Sequence, residues 1–245
     1  MRRFNKFIAT LLLLSMLLTF APVAIGGGED GTQDVMAAAI AVPSISAPFT
    51  THPTVFIVED TYQIVFATDA KGLAWVEIGG VKYEDSLNGL MNWERKYHKI
   101  SVPQAALDAA GSYVINFRSL TERPAYDPVP GDTVSRTYPF SPIPQDRDPV
   151  FYCASDQHND NSNALKISQS KSFDVYVFNG DYTSTLTSDA KLKLCLDYTG
   201  AVTQGTKPTI YTRGNHEIRG NQCHNLHRVS GYSEKTGAYY TVKMP

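Results

Sequence analysis

Val150-Phe151-Tyr152-Cys153-Ala154-Ser155-Asp156-Gln157-His158 carries a short apolar run into a carboxylate and an imidazole two residues apart. The pattern recurs twice. Val175-Tyr176-Val177-Phe178 leads to Gly180-Asp181, and Pro208-Thr209-Ile210-Tyr211-Thr212 leads to Arg213-Gly214-Asn215-His216-Glu217. Short apolar runs bounded by Gly and polar residues read as buried strands. Residues 188–200 predict a helix with Ser188 as N-cap and Gly200 as stop, and Leu192, Cys195 and Leu196 share one face. Residues 162–170 predict a shorter helix. Strands alternating with helices imply a parallel sheet covered on both faces. Such sheets bind ligands at the carboxyl ends of their strands, where all three polar motifs stand.

The motifs carry the donors that hard or borderline metal ions take. Asp156 and His158 can reach one ion. The two oxygens of Asp181 can bridge a pair of ions, and Asn215 offers an amide oxygen beside the imidazole of His216. Mixed Asp, His and Asn ligands suit Mn, Fe, Zn or a Mg-like ion. Gly180 and Gly214 let the backbone turn tightly beside them. Two adjacent ions can hold a hydroxide against a phosphorus atom, while a nearby His gives a proton to the leaving oxygen. Arg219 is a candidate for substrate phosphate and equally for a solvated loop.

Asp-x-His, then Gly-Asp, then Gly-Asn-His-Glu, in this order, resembles the calcineurin-like metallophosphoesterases over about residues 148–245. The separations are 25 residues from Asp156 to Asp181 and 34 from there to Asn215, and both lie within that family's range. The resemblance implies that Asp156 and His158 bind one metal, Asp181 bridges two, and Asn215 binds the second. It makes His216 the catalytic group facing the leaving oxygen. It also implies two divalent or trivalent ions, a bridging hydroxide, and a small phosphorylated substrate, monoester or diester. Ser184 stands where purple acid phosphatases carry a tyrosine ligand, and Tyr182 is out of register, which argues against an iron–tyrosinate centre. The family's later Gly-His-x-His is absent, since His224 and His227 follow His216 too closely. With Tyr239 to Val242 read as a strand, residues 147–245 are expected to be the N-terminal part of a longer, incomplete α/β metallophosphoesterase domain. The alternative is a cell-surface binding protein whose phosphoesterase unit is vestigial or inactive.

Residues 47–146 follow a different pattern. Residues 54–58, 62–67, 74–78, 97–102 and 112–117 alternate in the manner of short strands, with turns at 69–72 and Asn88-Gly89. This predicts an all-β, immunoglobulin- or fibronectin-III-like sandwich with Trp75 in its core and His52 and His98 on its surface. An exported sandwich ahead of a phosphoesterase unit resembles, more weakly, the purple acid phosphatase arrangement. Prolines crowd residues 122–149, so a strand there, such as 133–138, should be short and at an edge. The domain boundary falls near residue 146.

Residues 1–26 read as a signal peptide: Arg2, Arg3 and Lys6, an apolar run from Phe7 to Phe20, then small residues at 24–26. An uncleaved membrane anchor is the other reading of this segment; either way the chain is exported. Residues 27–46 form a flexible Gly-, Ala- and Ser-rich leader. Net charge is −2, and loss of those three cations takes it to about −5. No basic patch stands out, which speaks against nucleic acid as a structural partner. Cys153 and Cys195 read as small core residues. With Cys223 they make an odd number, so one disulfide can form and the sequence does not choose it. Oligomeric state is not encoded legibly.

Overall fold

Residues 40–87, 90–92, 95–123 and 126–244 are described by the computed structural model. The signal segment 1–26, residues 27–39 of the leader and the Asn88-Gly89 turn lie outside the described residues. In chain order the strands are β1 (Thr54–Val58), β2 (Thr61–Ala67), β3 (Gly72–Ile78), β4 (Val81–Glu84), β5 (Ser86–Leu87), β6 (Leu90–Met91) and β7 (Tyr97–Pro103). Helix α1 (Gln104–Ala110), β8 (Ser112–Arg123), β9 (Tyr126–Pro139), β10 (Phe151–Ala154), α2 (Ser162–Ser170), β11 (Val175–Asn179), α3 (Asp189–Thr203) and β12 (Pro208–Thr212) follow, and a 3-10 helix spans Cys223–Arg228. The molecule is mostly β with a few helices.

Two sheets do most of the work. One is six-stranded, in the order β10-β11-β12-β1-β2-β7; the other is four-stranded, β4-β3-β8-β9. Strands β10, β11, β12 and β1 run parallel, and β1-β2-β7 antiparallel. Val55, Ile57, Ile64 and Phe66 on one face pack against Ala74, Val76, Ile115 and Phe117 of the second sheet. Phe56, Val58, Phe178 and Tyr211 on the other face meet Leu192, Cys195 and Leu196 of α3. The six-stranded sheet is therefore a middle layer. Its interior strand β1 is buried at every position because it has a sheet beneath it and a helix layer above.

This changes the expected division at residue 146. Val55 and Phe56 pair in parallel with Pro208 and Thr209, so the all-β and α/β regions share a sheet. Residues 39–245 cluster as one unit. The other departures have local causes. Strand β10 is not buried: it is the sheet's edge, with Phe151 46% exposed and Cys153 exposed. Strand β9 is long rather than short, yet lies at an edge as its prolines require. Register shifts between Arg118 and Leu120 and between Thr121 and Arg123 accommodate Pro130. Trp75 lies on the outer face of β3, where its indole N–H donates to Glu77 at 2.7 Å. His98 is buried, not on the surface, between Asp85 (3.2 Å) and Thr68 (3.2 Å). Tyr239 to Val242 is not a strand; Val242 makes one isolated bridge with Glu59. All three cysteines are free.

Candidate metal centre

The three motifs meet at the carboxyl ends of β10, β11 and β12. The loop after β10 lies along the loop after β11 through backbone bonds. Asp156 N donates to Gly180 O (3.2 Å), His158 N to Asp181 O (3.0 Å) and Asn159 N to Tyr182 O (2.9 Å). Closing these loops puts Asp156, His158, Asn159 and Asp181 at positive φ, between 44° and 76°. Non-glycine residues adopt that region at a cost, and such strain is concentrated at functional sites. The glycines permit the crossing of the second and third loops. A Cβ on Gly180 would sit 2.3 Å from Gly214 N, and one on Gly214 would sit 2.2 Å from Asp181 Oδ1.

His158, Asp181 and His216 each offer one ligand atom, and these atoms all lie within 4.8 Å of one another. Among the described residues this is the cluster of three or more His, Cys, Asp or Glu groups that can hold a metal. The two imidazoles meet edge to face, with centroids 4.5 Å apart. The backbone amide of His216 donates to Asp181 Oδ1 at 2.9 Å. The amide of Asn215, turned to satisfy its neighbours, donates to Asp181 Oδ2 (3.0 Å) and accepts from Arg219 (2.9 Å). Asp156 stands at the margin, its side chain 68% exposed and Oδ1 3.7 Å from His158 Nε2. Four of the five ligand and catalytic candidates thus converge, and Asp156 touches the group through His158 without joining its inner set. An all oxygen-and-imidazole donor set with no thiolate fits the hard or borderline ions expected.

His216 Nδ1 lies 2.8 Å from Ser184 O. The carbonyl can only accept, so Nδ1 carries the proton and Nε2 is left for the cluster or a substrate. Ser184 therefore serves through its carbonyl rather than its hydroxyl. That hydroxyl accepts from Asn159 Nδ2 at 3.1 Å. Tyr182 is buried, its hydroxyl 3.5 Å from Leu192 O, so it offers the site no ligand.

One residue that braces the site escaped assignment. Glu217 is wholly buried, and its carboxylate accepts from Asp181 N (2.9 Å), Gly214 N (2.8 Å) and Tyr182 N (2.8 Å). It ties the second and third loops together directly beneath Asp181. The residue stands within the third motif, but its partners are backbone amides, which leave no mark in a sequence.

Residues 131–243 match the family model described as calcineurin-like phosphoesterase. No curated protein matches the chain. Among solved structures, the purple acid phosphatase PPD1 from seeds of yellow lupin (Lupinus luteus) is similar at a TM-score of 0.47 and 13% identity, over 74% of this chain and 40% of that one. A bacterial immunoglobulin-like domain from the M. primoryensis ice-binding adhesin is similar at a TM-score of 0.21 and 19% identity, over 36% of this chain and 91% of that one. The chain spans about 40% of the length of the purple acid phosphatase.

Proposed function

From the match of residues 131–243 to the calcineurin-like phosphoesterase family model, we propose that the protein is an exported, metal-dependent phosphoesterase acting on small phosphomonoesters or phosphodiesters. The observation that carries this reading is the convergence of His158, Asp181 and His216 within 4.8 Å. His158, Asp156 and Asp181 would hold one ion, and Asp181 would take part in holding a second with Asn215, whose amide oxygen would turn from Arg219 toward Asp181 to reach it. Ions bound there would supply a hydroxide at neutral pH and offset the charge of the phosphoryl oxygens.

The chain's own residues have three tasks. Asp181 is kept in place by the His216 amide and by Glu217 beneath its backbone. His216, its Nδ1 proton engaged by Ser184 O, presents Nε2 to carry a proton to the leaving oxygen. Arg219, bonded to the Asn215 amide oxygen, keeps positive charge beside the phosphate. Export rests on the signal-like residues 1–26, and the strands ahead of residue 146 serve as the scaffold on which β12 is laid.

The test joins metal content to turnover. Chain purified with Mn²⁺ should retain metal by mass spectrometry and hydrolyse p-nitrophenyl phosphate or its bis-ester. Asp181→Ala should lose both properties. Retained metal and unchanged turnover in Asp181→Ala would refute the two-metal site.

A further inference from the structure

Asn159 follows the ligand candidate His158 and holds the loop after β11 at three successive residues. Its backbone N–H donates to Tyr182 O (2.9 Å). Its side-chain Oδ1 accepts from the Thr183 hydroxyl (2.9 Å) and from Lys191 Nζ (2.5 Å), and its Nδ2 donates to Ser184 Oγ (3.1 Å). Lys191 has donors only, so the oxygen of the amide faces it and the NH₂ group is left for Ser184. Asn159 stands at φ 76°, a left-handed conformation that asparagine adopts more readily than most residues. That preference accounts for the backbone of Asn159 but not for the use of both ends of its amide.

The held segment leads to His216. Ser184 O accepts from His216 Nδ1 at 2.8 Å, and His216 belongs to the cluster with His158 and Asp181. On its far side the segment is held by the third loop, where Leu186 N donates to Arg219 O (2.8 Å) and Gln222 N to Leu186 O (2.8 Å). The Ser184–Thr185 peptide, whose carbonyl meets the imidazole, lies between these two anchorages. Ser184 itself is exposed. An exposed carbonyl free to turn would fix a ring poorly, since a hydrogen bond weakens steeply as its angle closes.

We propose that Asn159 is a positioning residue: through Thr183 and Ser184 it keeps the Ser184 carbonyl on His216 Nδ1, and so keeps Nε2 as the nitrogen that takes up and gives away a proton. The hydrogen bond made by one imidazole nitrogen decides which of the two carries the proton. Loss of the Asn159 amide should therefore release both the angle of the ring and its tautomer. That the fixed ring serves proton transfer to a leaving oxygen rests on the phosphoesterase reading; the fixing of the ring does not.

The test reads the ring and the turnover separately. In metal-free chain at about pH 8.5, where an ordinary histidine with a pKa of ~6.5 is neutral, nitrogen–proton correlation spectra should show His216 with its proton on Nδ1. Its resonances are assigned by their loss in His216→Gln. Asn159→Gly keeps the left-handed backbone and removes only the amide. It should bring His216 to a mixture of the two tautomers, as should Ser184→Ala, which deletes the hydroxyl that Asn159 holds. A residue that merely braces the loop would lower the melting temperature and leave the tautomer as it is. In Mn²⁺-loaded chain, Asn159→Gly should lower kcat for p-nitrophenyl phosphate between about tenfold and about a hundredfold, with KM and bound Mn²⁺ unchanged. In a His216→Gln background the same substitution should lower kcat no further. An unchanged tautomer in both variants, or an equally large fall in kcat without His216, would overturn the assignment. If the tautomer shifts as stated while wild-type chain turns over no phosphoester, the phosphoesterase reading fails and the positioning of His216 stands.

Discussion

Glu217 carries more of the site than its unobtrusive position suggests. A buried carboxylate is costly unless its oxygens are fully engaged, and here three backbone amides engage them. Two of those amides belong to Asp181 and Gly214, so the bond network fixes Asp181 and the Asn215 loop in one frame. Glu217→Gln places an NH₂ group against N–H donors. At about 1.5–3 kcal/mol for a hydrogen bond to a charged group, the variant should lose at least that much stability. Chemical denaturation measures this loss, and Mn²⁺ affinity measured by calorimetry should fall with it. The candidates legible in the sequence, Asp156, His158, Asp181, Asn215 and His216, were those whose own side chains carry metal-ligating or proton-transferring atoms. Two of the three amides that Glu217 engages, those of Asp181 and Tyr182, lie more than thirty positions away in the chain, and no spacing rule reaches that far.

At the scale of the element, β1, β2, β3, β7, β11, β12 and α2 were legible because continuous or alternating burial writes itself into composition, whereas β4, β5 and β6 were not read and β9 is longer than its prolines suggested. Strands β1, β11 and β12 fall where their apolar runs lie, and Ser188 caps α3 by accepting from Lys191 N. The end of α3 was not legible. Gly200 reads as a stop, yet the helix runs on to Thr203 and closes at Gln204 in the left-handed region. Gly200 is small for another reason: a Cβ there would lie 2.9 Å from His52 O. Alanine in a helix interior gains about 1 kcal/mol over glycine. Overpacking against a fixed carbonyl costs about 1–3 kcal/mol. The second term prevails, so Gly200→Ala should lower stability despite its better helix propensity, and a raised melting temperature would show that His52 yields. Helix α1 went unread because its seven residues, four of them Ala around the single buried Leu107, are too short for a periodicity. Its one signal was Gly111, left-handed at the C-terminal cap.

At the scale of the molecule, the pairing of β1 with β12 joins regions that composition alone separates. Residue 146 marks a change of sequence pattern without a change of sheet, because hydrogen bonding between distant strands is invisible along the chain. One consequence is cooperative unfolding: Trp fluorescence and far-ultraviolet circular dichroism should report coincident urea transitions, whereas two independent domains would give separate ones. A second bond across the fold is sensitive to pH. Lys99 on β7 donates to His227 O and, at 2.6 Å, to Ser230 O, clasping the end of the 3-10 helix. Burial pushes the Lys99 pKa down to about 7. An unfolded lysine titrates near ~10.4. Between those values the unfolded chain binds a proton that the folded chain lacks, so this group's contribution to stability rises with pH. Above about pH 8.5 cysteine ionisation in the unfolded chain acts in the opposite direction, because burial holds the Cys195 thiol well above its usual pKa. The informative window is therefore pH 7 to about 8.5. Wild-type stability from urea titrations should climb across that window. In Lys99→Met the climb should flatten, since the group that releases the proton is gone and the remaining slope belongs to other residues. An identical slope in the variant would mean that Lys99 stays charged between its two carbonyls.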